Sequence, residues 1–155
     1  MKHTYTASVS WSRNGAPFTD GKYSRVHEWR FDGGAVVQAS SSPLVVPVPH
    51  SSAAAVDPEE AYVASLASCH FLWFLHVARA AGYVVDRYDD AASGVMEKNA
   101  QGKLWVARVV LKPRVTFAGE RQPSAAELAQ MHHKAHDECF IANSVKSEVR
   151  VEPAG

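Results

Sequence analysis

Cysteine is nearly absent from this chain, with only Cys69 and Cys139 among 155 residues. So sparse a pair is not the disulfide framework of a small secreted domain. Net charge is missing as well. Sixteen basic residues balance sixteen acidic ones, so no overall field draws the chain to nucleic acid or anionic lipid. There is no G-x-S-x-G elbow to support Ser–His–Asp hydrolysis, and Gly33-Gly34 stands alone without a phosphate-cradling loop. CxxC and HExxH spacings are lacking too. The stretch Met1-Lys2-His3-Thr4-Tyr5-Thr6 has no apolar h-region, so a secretory signal is not expected. The most apolar run, Ala61 to Ala78, is broken by Ser65, Ser68, His70 and His76 and follows acidic residues. A membrane span wants ~20 predominantly apolar residues, so this run reads as a buried core helix. The expectation is a cytoplasmic protein, without membrane contact, whose thiols rest reduced.

What is present is one domain's worth of chain, 1–155. Its 46% apolar and 21% charged residues suit a soluble globular core. Residues 1–39 alternate apolar and polar, with turn signals at Asn14-Gly15, Asp20-Gly21 and Asp32-Gly33-Gly34. They read as an antiparallel meander whose second strand runs from Tyr23 to Phe31. Residues 40–56 turn to Ser, Pro and Ala, yet Leu44, Val45, Val46 and Val48 make them too apolar for a free linker. This loop is expected to be an arm against a partner subunit or a pocket wall. Asp57-Pro58-Glu59-Glu60 opens a helix over 57–81: Asp57 caps, Pro58 suits the first turn and the glutamates complement the dipole. Being apolar nearly all round, it is expected to be buried on every side. Residues 93–117 read as a hairpin around Asn99–Gly102, with one long strand from Leu104 to Phe117. Ser124-Ala125-Ala126-Glu127 is a capping box opening a second helix, 124–139. Residues 144–152 alternate again as a closing strand. This order argues α+β, with helices packed on mainly antiparallel sheets.

Both cysteines sit on core-facing stripes, and free cysteine is among the most buried residue types, so two inert core thiols are the plain alternative to chemistry. A reactive thiol needs a cation, a dipole or a hydrogen bond to stabilise its thiolate. Cys69 lies three turns into its helix, beyond reach of the N-terminal dipole. The cation must come from elsewhere, and Arg25 or Arg30 is the natural source. Cys139 closes the second helix, where the negative dipole end opposes ionisation and suits a resolving thiol. Glu59 precedes Cys69 by ten residues, roughly 15 Å along a straight helix and about 80° around it. If both serve one site, the helix bends or two chains share the site. A metal reading uses His132, His136 and Cys139, which share a helix face, together with Cys69.

Asp57-Pro58-Glu59-Glu60, the spacing from Glu59 to Cys69, and His136-x-x-Cys139 some seventy residues later resemble the OsmC/Ohr family. These names stand for osmotically inducible protein C and organic hydroperoxide resistance protein. The likeness spans nearly the whole chain, from the strand with Trp11 to the strand after Ser144. It implies an OsmC-like α+β fold in an intertwined homodimer, with two sites at the subunit interface. It implies a thiol peroxidase acting on organic hydroperoxides in oxidative-stress defence, needing no cofactor and recharged by a dithiol of lipoyl type. By the same resemblance, Cys69 matches the peroxidatic cysteine, Cys139 the resolving one, and Glu59 the acid that holds the catalytic arginine. Arg25 is the first choice for that arginine and Arg30 the second. Phe71, Leu44, Val46 and Phe140 are the apolar residues expected to bind the substrate. The chain departs from the better-known branches at Phe140, where they carry proline, and around Arg25, where the Ohr-type glycine–arginine turn is missing. Its 40–56 loop is also longer and richer in proline, which marks a distinct OsmC-like branch. Two other classes remain open: a non-catalytic dimeric protein that binds a small ligand, and a Cys/His metal-binding protein.

Overall fold

The computed structural model describes residues 1–154 as an α+β chain of eight strands and two helices, in two compact units, Met1–Ala61 and Tyr62–Gly155. The first unit holds β1 (Ala7–Ser10), β2 (His27–Phe31) and β3 (Val36–Ala39), antiparallel in the order β1-β2-β3. The meander is therefore as expected, but β2 is shorter than Tyr23–Phe31. Its first four expected residues belong to the loop, where Arg25 N–H donates to His50 O (2.9 Å) instead of to a neighbouring strand. The residues after β3 fold back onto it. Ser40 N–H donates to Val56 O (3.0 Å), Val56 N–H to Gln38 O (3.0 Å), and Ser52 N–H to Ser40 Oγ (3.0 Å). These bonds satisfy backbone that would otherwise be costly to leave unpaired.

α1 (Pro58–Ala80) opens on a reciprocal capping box. Glu60 N–H donates to Asp57 Oδ1 (2.8 Å), and Asp57 N–H to Glu60 Oε2 (3.1 Å). It ends in a Schellman turn: Tyr83 N–H reaches Ala78 O (3.0 Å), and Gly82 supplies the positive φ of 80°. The expectation that α1 is buried on every side is corrected. Leu66, His70, Phe74, Val77 and Ala78 are buried, whereas Ala64, Ser68, Leu72 and His76 form an exposed ridge at four-residue spacing. Leu72 is 60% exposed. In length and composition α1 is also the one candidate membrane span among the described residues. It carries both core clusters of the second unit on its flanks, as the core helix of a soluble protein does.

The second unit contains two sheets. β4 (Val84–Asp90) pairs antiparallel with β7 (Pro113–Ala118), and β5 (Ser93–Lys98) with β6 (Leu104–Leu111). The long strand expected over Leu104–Phe117 is thus two strands in different sheets. Lys112 N–H is taken by Asp90 Oδ1 (2.7 Å), and Pro113 has no N–H to give, so the ladder cannot continue through this point. β8 (Glu148–Val151) joins β6 in parallel, which the long crossover through α2 (Ala125–Glu138) permits. One cluster packs Phe74, Val77 and Ala78 with Met131 and Ala135 of α2 and Phe117 of β7. The other packs Leu66 with Val109 and Leu111.

The capping box at α2 is present as read. Ser124 Oγ accepts from Glu127 N–H (3.2 Å), and Ser124 N–H donates to Glu127 Oε2 (2.8 Å). Ser124→Ala removes the side-chain acceptor while leaving a good helix former behind it. A loss of about 1 kcal/mol is expected, read as a lower urea midpoint with an unchanged slope.

Candidate functional site

The candidate residues fall into two constellations, one on each unit. On the second, α1 holds Cys69 and the end of α2 holds Cys139, both as free thiols. Cys139 is the C-cap residue of α2 and is buried, while Cys69 is half-buried. Cys139 Sγ accepts a hydrogen bond from Ala142 N–H (3.4 Å) in the 3₁₀ turn Ala142–Ser144. Burial, and then a side-chain hydrogen bond with Cys69, push the Cys139 thiol up to about 11. Both causes favour the neutral form: low polarity penalises the anion, and Cys139 is the member of the pair that keeps its proton, as the donor to Cys69. Cys69 and Cys139 are therefore close enough to interact across the joint between two helices, and Cys139 is a protonated thiol at neutral pH.

On the first unit, an open groove of about 510 Å³ is lined by Val9, Trp11, Phe18, Tyr23, Arg25, His27, Ser40, Ser41, Pro58 and Glu59. Its aromatic wall is locked in place. Trp11 Nε1–H donates to Ser24 O (2.8 Å), and Phe18 stacks on Tyr23 with ring centroids 4.6 Å apart. The Arg25 guanidinium lies 3.8 Å from the Tyr23 ring centroid, and its Nη1 donates to Gly21 O (2.6 Å) and Tyr23 O (2.5 Å). A planar cation over an aromatic face adds attraction to the hydrogen bonds. Arg25 and Glu59 line the same groove, yet no hydrogen bond or ion pair joins them among the described residues.

The remaining candidates lie outside that groove. Arg30 is exposed on β2 and pairs with Glu28 at 3.0 Å. Leu44 is 98% exposed, and Val46 is half-buried. Phe71 packs on Tyr88, with centroids 4.9 Å apart. Phe140 is 67% exposed and meets Trp73 edge-on at 5.4 Å.

Nothing in the sequence marks Trp11, Phe18 and Tyr23 as one wall of the groove. They lie far apart along a loop, and only the turns at Gly15 and Gly21 gather them. Also unforeseen is a buried histidine pair. His70 Nε2 and His132 Nδ1 are 3.0 Å apart with nearly parallel rings, and His132 stacks on Phe74 at 4.3 Å. The outer nitrogens, His70 Nδ1 and His132 Nε2, are buried without a partner. Burial foremost lowers both residues to about 4, so both are neutral at pH 7. Among the described residues no group of three or more His, Cys, Asp or Glu is placed to hold a metal ion. Cys69, His132, His136 and Cys139 therefore do not converge as a ligand set.

Fold and thiols together define a class: α+β proteins with a two-cysteine centre between a long central helix and a second helix. A family model described as OsmC-like protein matches residues 50–154, and the chain belongs to this family. An OsmC-like protein of unknown function from Vibrio cholerae is 51% identical, with a TM-score of 0.96, over 99% of this chain and 100% of that one. The fold is also that of an organic hydroperoxide resistance protein OsmC from Legionella pneumophila (16% identity, TM-score 0.70, 97% and 95% of the two chains). The organic hydroperoxide resistance protein OhrB of Bacillus subtilis shares it as well (16% identity, TM-score 0.68, 98% of each chain). No curated protein sequence matches this chain.

Proposed function

We propose that this protein is a thiol-dependent peroxidase that reduces organic hydroperoxides to alcohols as a cytoplasmic homodimer. The observation that carries the reading is the proximity of two free thiols, Cys69 on α1 and Cys139 at the end of α2, in a chain of the OsmC-like family. The names of the Legionella and Bacillus proteins of the same fold support the choice of organic hydroperoxides.

In the proposed cycle the Cys69 thiolate attacks the outer oxygen of the peroxide. The O–O bond breaks, the alkoxide leaves as the alcohol after taking a proton, and Cys69 becomes a sulfenic acid. Arg25 stabilises the thiolate and the departing oxygen with its charge, and Glu59 supplies the carboxylate of the same groove. The protonated Cys139 thiol then condenses with the sulfenic acid, forming the Cys69–Cys139 disulfide and releasing water. A dithiol of lipoyl type returns both thiols. Glu59 and Cys69 occupy one unbroken helix, α1. Their spacing along it supports a site shared between two chains, in which the groove serving each Cys69 comes from the second chain of the dimer. Exposed apolar residues favour such an assembly: Val9 on β1 is 68% exposed, and Phe31, Val36 and Leu72 are exposed too. Phe71, Leu44, Val46 and Phe140 are assigned, with the aromatic wall, to apolar contact with the substrate or the second chain.

The test is intact mass of the reduced protein after one equivalent of cumene hydroperoxide, beside the same dose of hydrogen peroxide. Fast loss of two hydrogens with the organic peroxide is the expected result. An unchanged mass with both oxidants would reduce the cysteines to packing residues.

A further inference from the structure

The groove contains a histidine that the proposed cycle does not use. His27 is the first residue of β2, in register with Ala39 of β3, and its ring is bonded on both sides. Nδ1 lies 2.7 Å from Arg25 O, and Nε2 accepts from Trp29 Nε1–H at 3.1 Å. Trp29 is two residues along the same strand, so both rings point to the same face. An indole N–H only donates. His27 Nε2 is therefore the bare nitrogen, and Nδ1 carries the proton that it gives to Arg25 O. The hydrogen bonds thus select one neutral tautomer.

We infer that His27 is the positioning residue for Arg25, a role that rests on Arg25 being the arginine of the proposed peroxidase site. Arg25 sits in the loop before β2, and a loop does not hold a side chain accurately without support. Here the backbone is clamped on both sides. Arg25 N–H donates to His50 O (2.9 Å), and Arg25 C=O accepts from His27 (2.7 Å). The guanidinium itself is held by Gly21 O and Tyr23 O through Nη1 alone, and by the Tyr23 ring. Its Nε–H and both Nη2 hydrogens have no hydrogen-bond partner among the described residues. The resemblance assigned the holding of this arginine to an acidic side chain, whereas no carboxylate is bonded to Arg25 among the described residues. His27 transmits the rigidity of the β1-β2-β3 sheet to the Arg25 backbone.

Side-chain isosteres separate the two halves of the clamp. Asparagine places an N–H donor where Nδ1 stands, and glutamine places an acceptor where Nε2 stands. His27→Ala is expected to lower kcat/KM for cumene hydroperoxide about tenfold or more, as misplacement of a charge-bearing group does. His27→Asn is expected to recover most of that loss, and His27→Gln to recover little. The amide spectrum of ¹⁵N-labelled protein gives a second readout. The Trp29 indole resonance should stay near its wild-type position in His27→Gln and move in His27→Asn. Equal losses in the Asn and Gln variants, or a wild-type rate in His27→Ala, would overturn the inference. Arg25→Ala is the control. If it consumes peroxide at the wild-type rate, the reading of the groove as the peroxidase site fails. If it is crippled while the His27 variants are not, only the role of His27 falls.

Discussion

Cys69→Ser is expected to abolish peroxide consumption, with kcat/KM down ~10³-fold or more, the scale on which loss of a covalent nucleophile acts. A serine hydroxyl stays protonated at neutral pH and cannot replace a thiolate. Cys139→Ser should behave differently. Its first oxidation by cumene hydroperoxide is expected to be as fast as in the wild type, because the proposed cycle gives Cys139 no part in O–O cleavage. The sulfenic acid then has no resolving thiol and climbs to the sulfinic acid. Repeated additions of peroxide should therefore give one stoichiometric turnover followed by inactivation, with a mass gain of two oxygens. Full turnover in Cys69→Ser, or sustained turnover in Cys139→Ser without an added thiol, would remove the assigned roles.

Acid should unfold this protein more readily than its even charge balance suggests. His70 and His132 are lowered from 6.5 to about 4 in the folded chain, chiefly by burial. The unfolded chain takes up these protons first, so stability rises with pH across this window. The contribution is fully present above 6.5, is lost as the pH falls from 6.5 to 4, and declines no further below 4. For His70 alone the loss is about 3 kcal/mol, a large share of a typical domain's ~5–15 kcal/mol. Urea unfolding at pH 7.5, 6, 5 and 4.5 should show this fall. The double substitution His70→Leu/His132→Leu should flatten it, since removing both partners of a buried polar pair leaves neither unsatisfied. An unchanged slope in the double variant would locate the acid sensitivity elsewhere.

The helices were legible in the sequence because their signals are local. Asp57-Pro58-Glu59-Glu60 and Ser124-Ala125-Ala126-Glu127 each contain the groups that satisfy the first free N–H donors, and both helices start at these residues. β4 was not legible. The ladder slips between Val85 and Arg87, so Val85 and Tyr88 face inward three residues apart and the two-residue alternation fails. The break at Lys112 was hidden for a different reason. It depends on a carboxylate 22 residues away, Asp90, which takes the N–H that the strand would have used. The exposed ridge of α1 lay beyond composition as well, because an apolar residue that stays exposed, such as Leu72, looks in the sequence like one meant for the core. As for the site, the two cysteines announced themselves by rarity. The histidine pair did not, because His70 and His132 are 62 residues apart and nothing local marks either as buried.

The joint between α1 and α2 has a mechanical side. The proposed disulfide would turn two neighbouring free thiols into a covalent tie closing a loop of about 70 residues, which by chain entropy is worth about 4 kcal/mol against unfolding. The oxidant of the proposed cycle would thus leave the protein, between reductions, in its toughest state. Under a burst of peroxide, when reductant runs short, the stalled molecules would be those best able to survive until it returns.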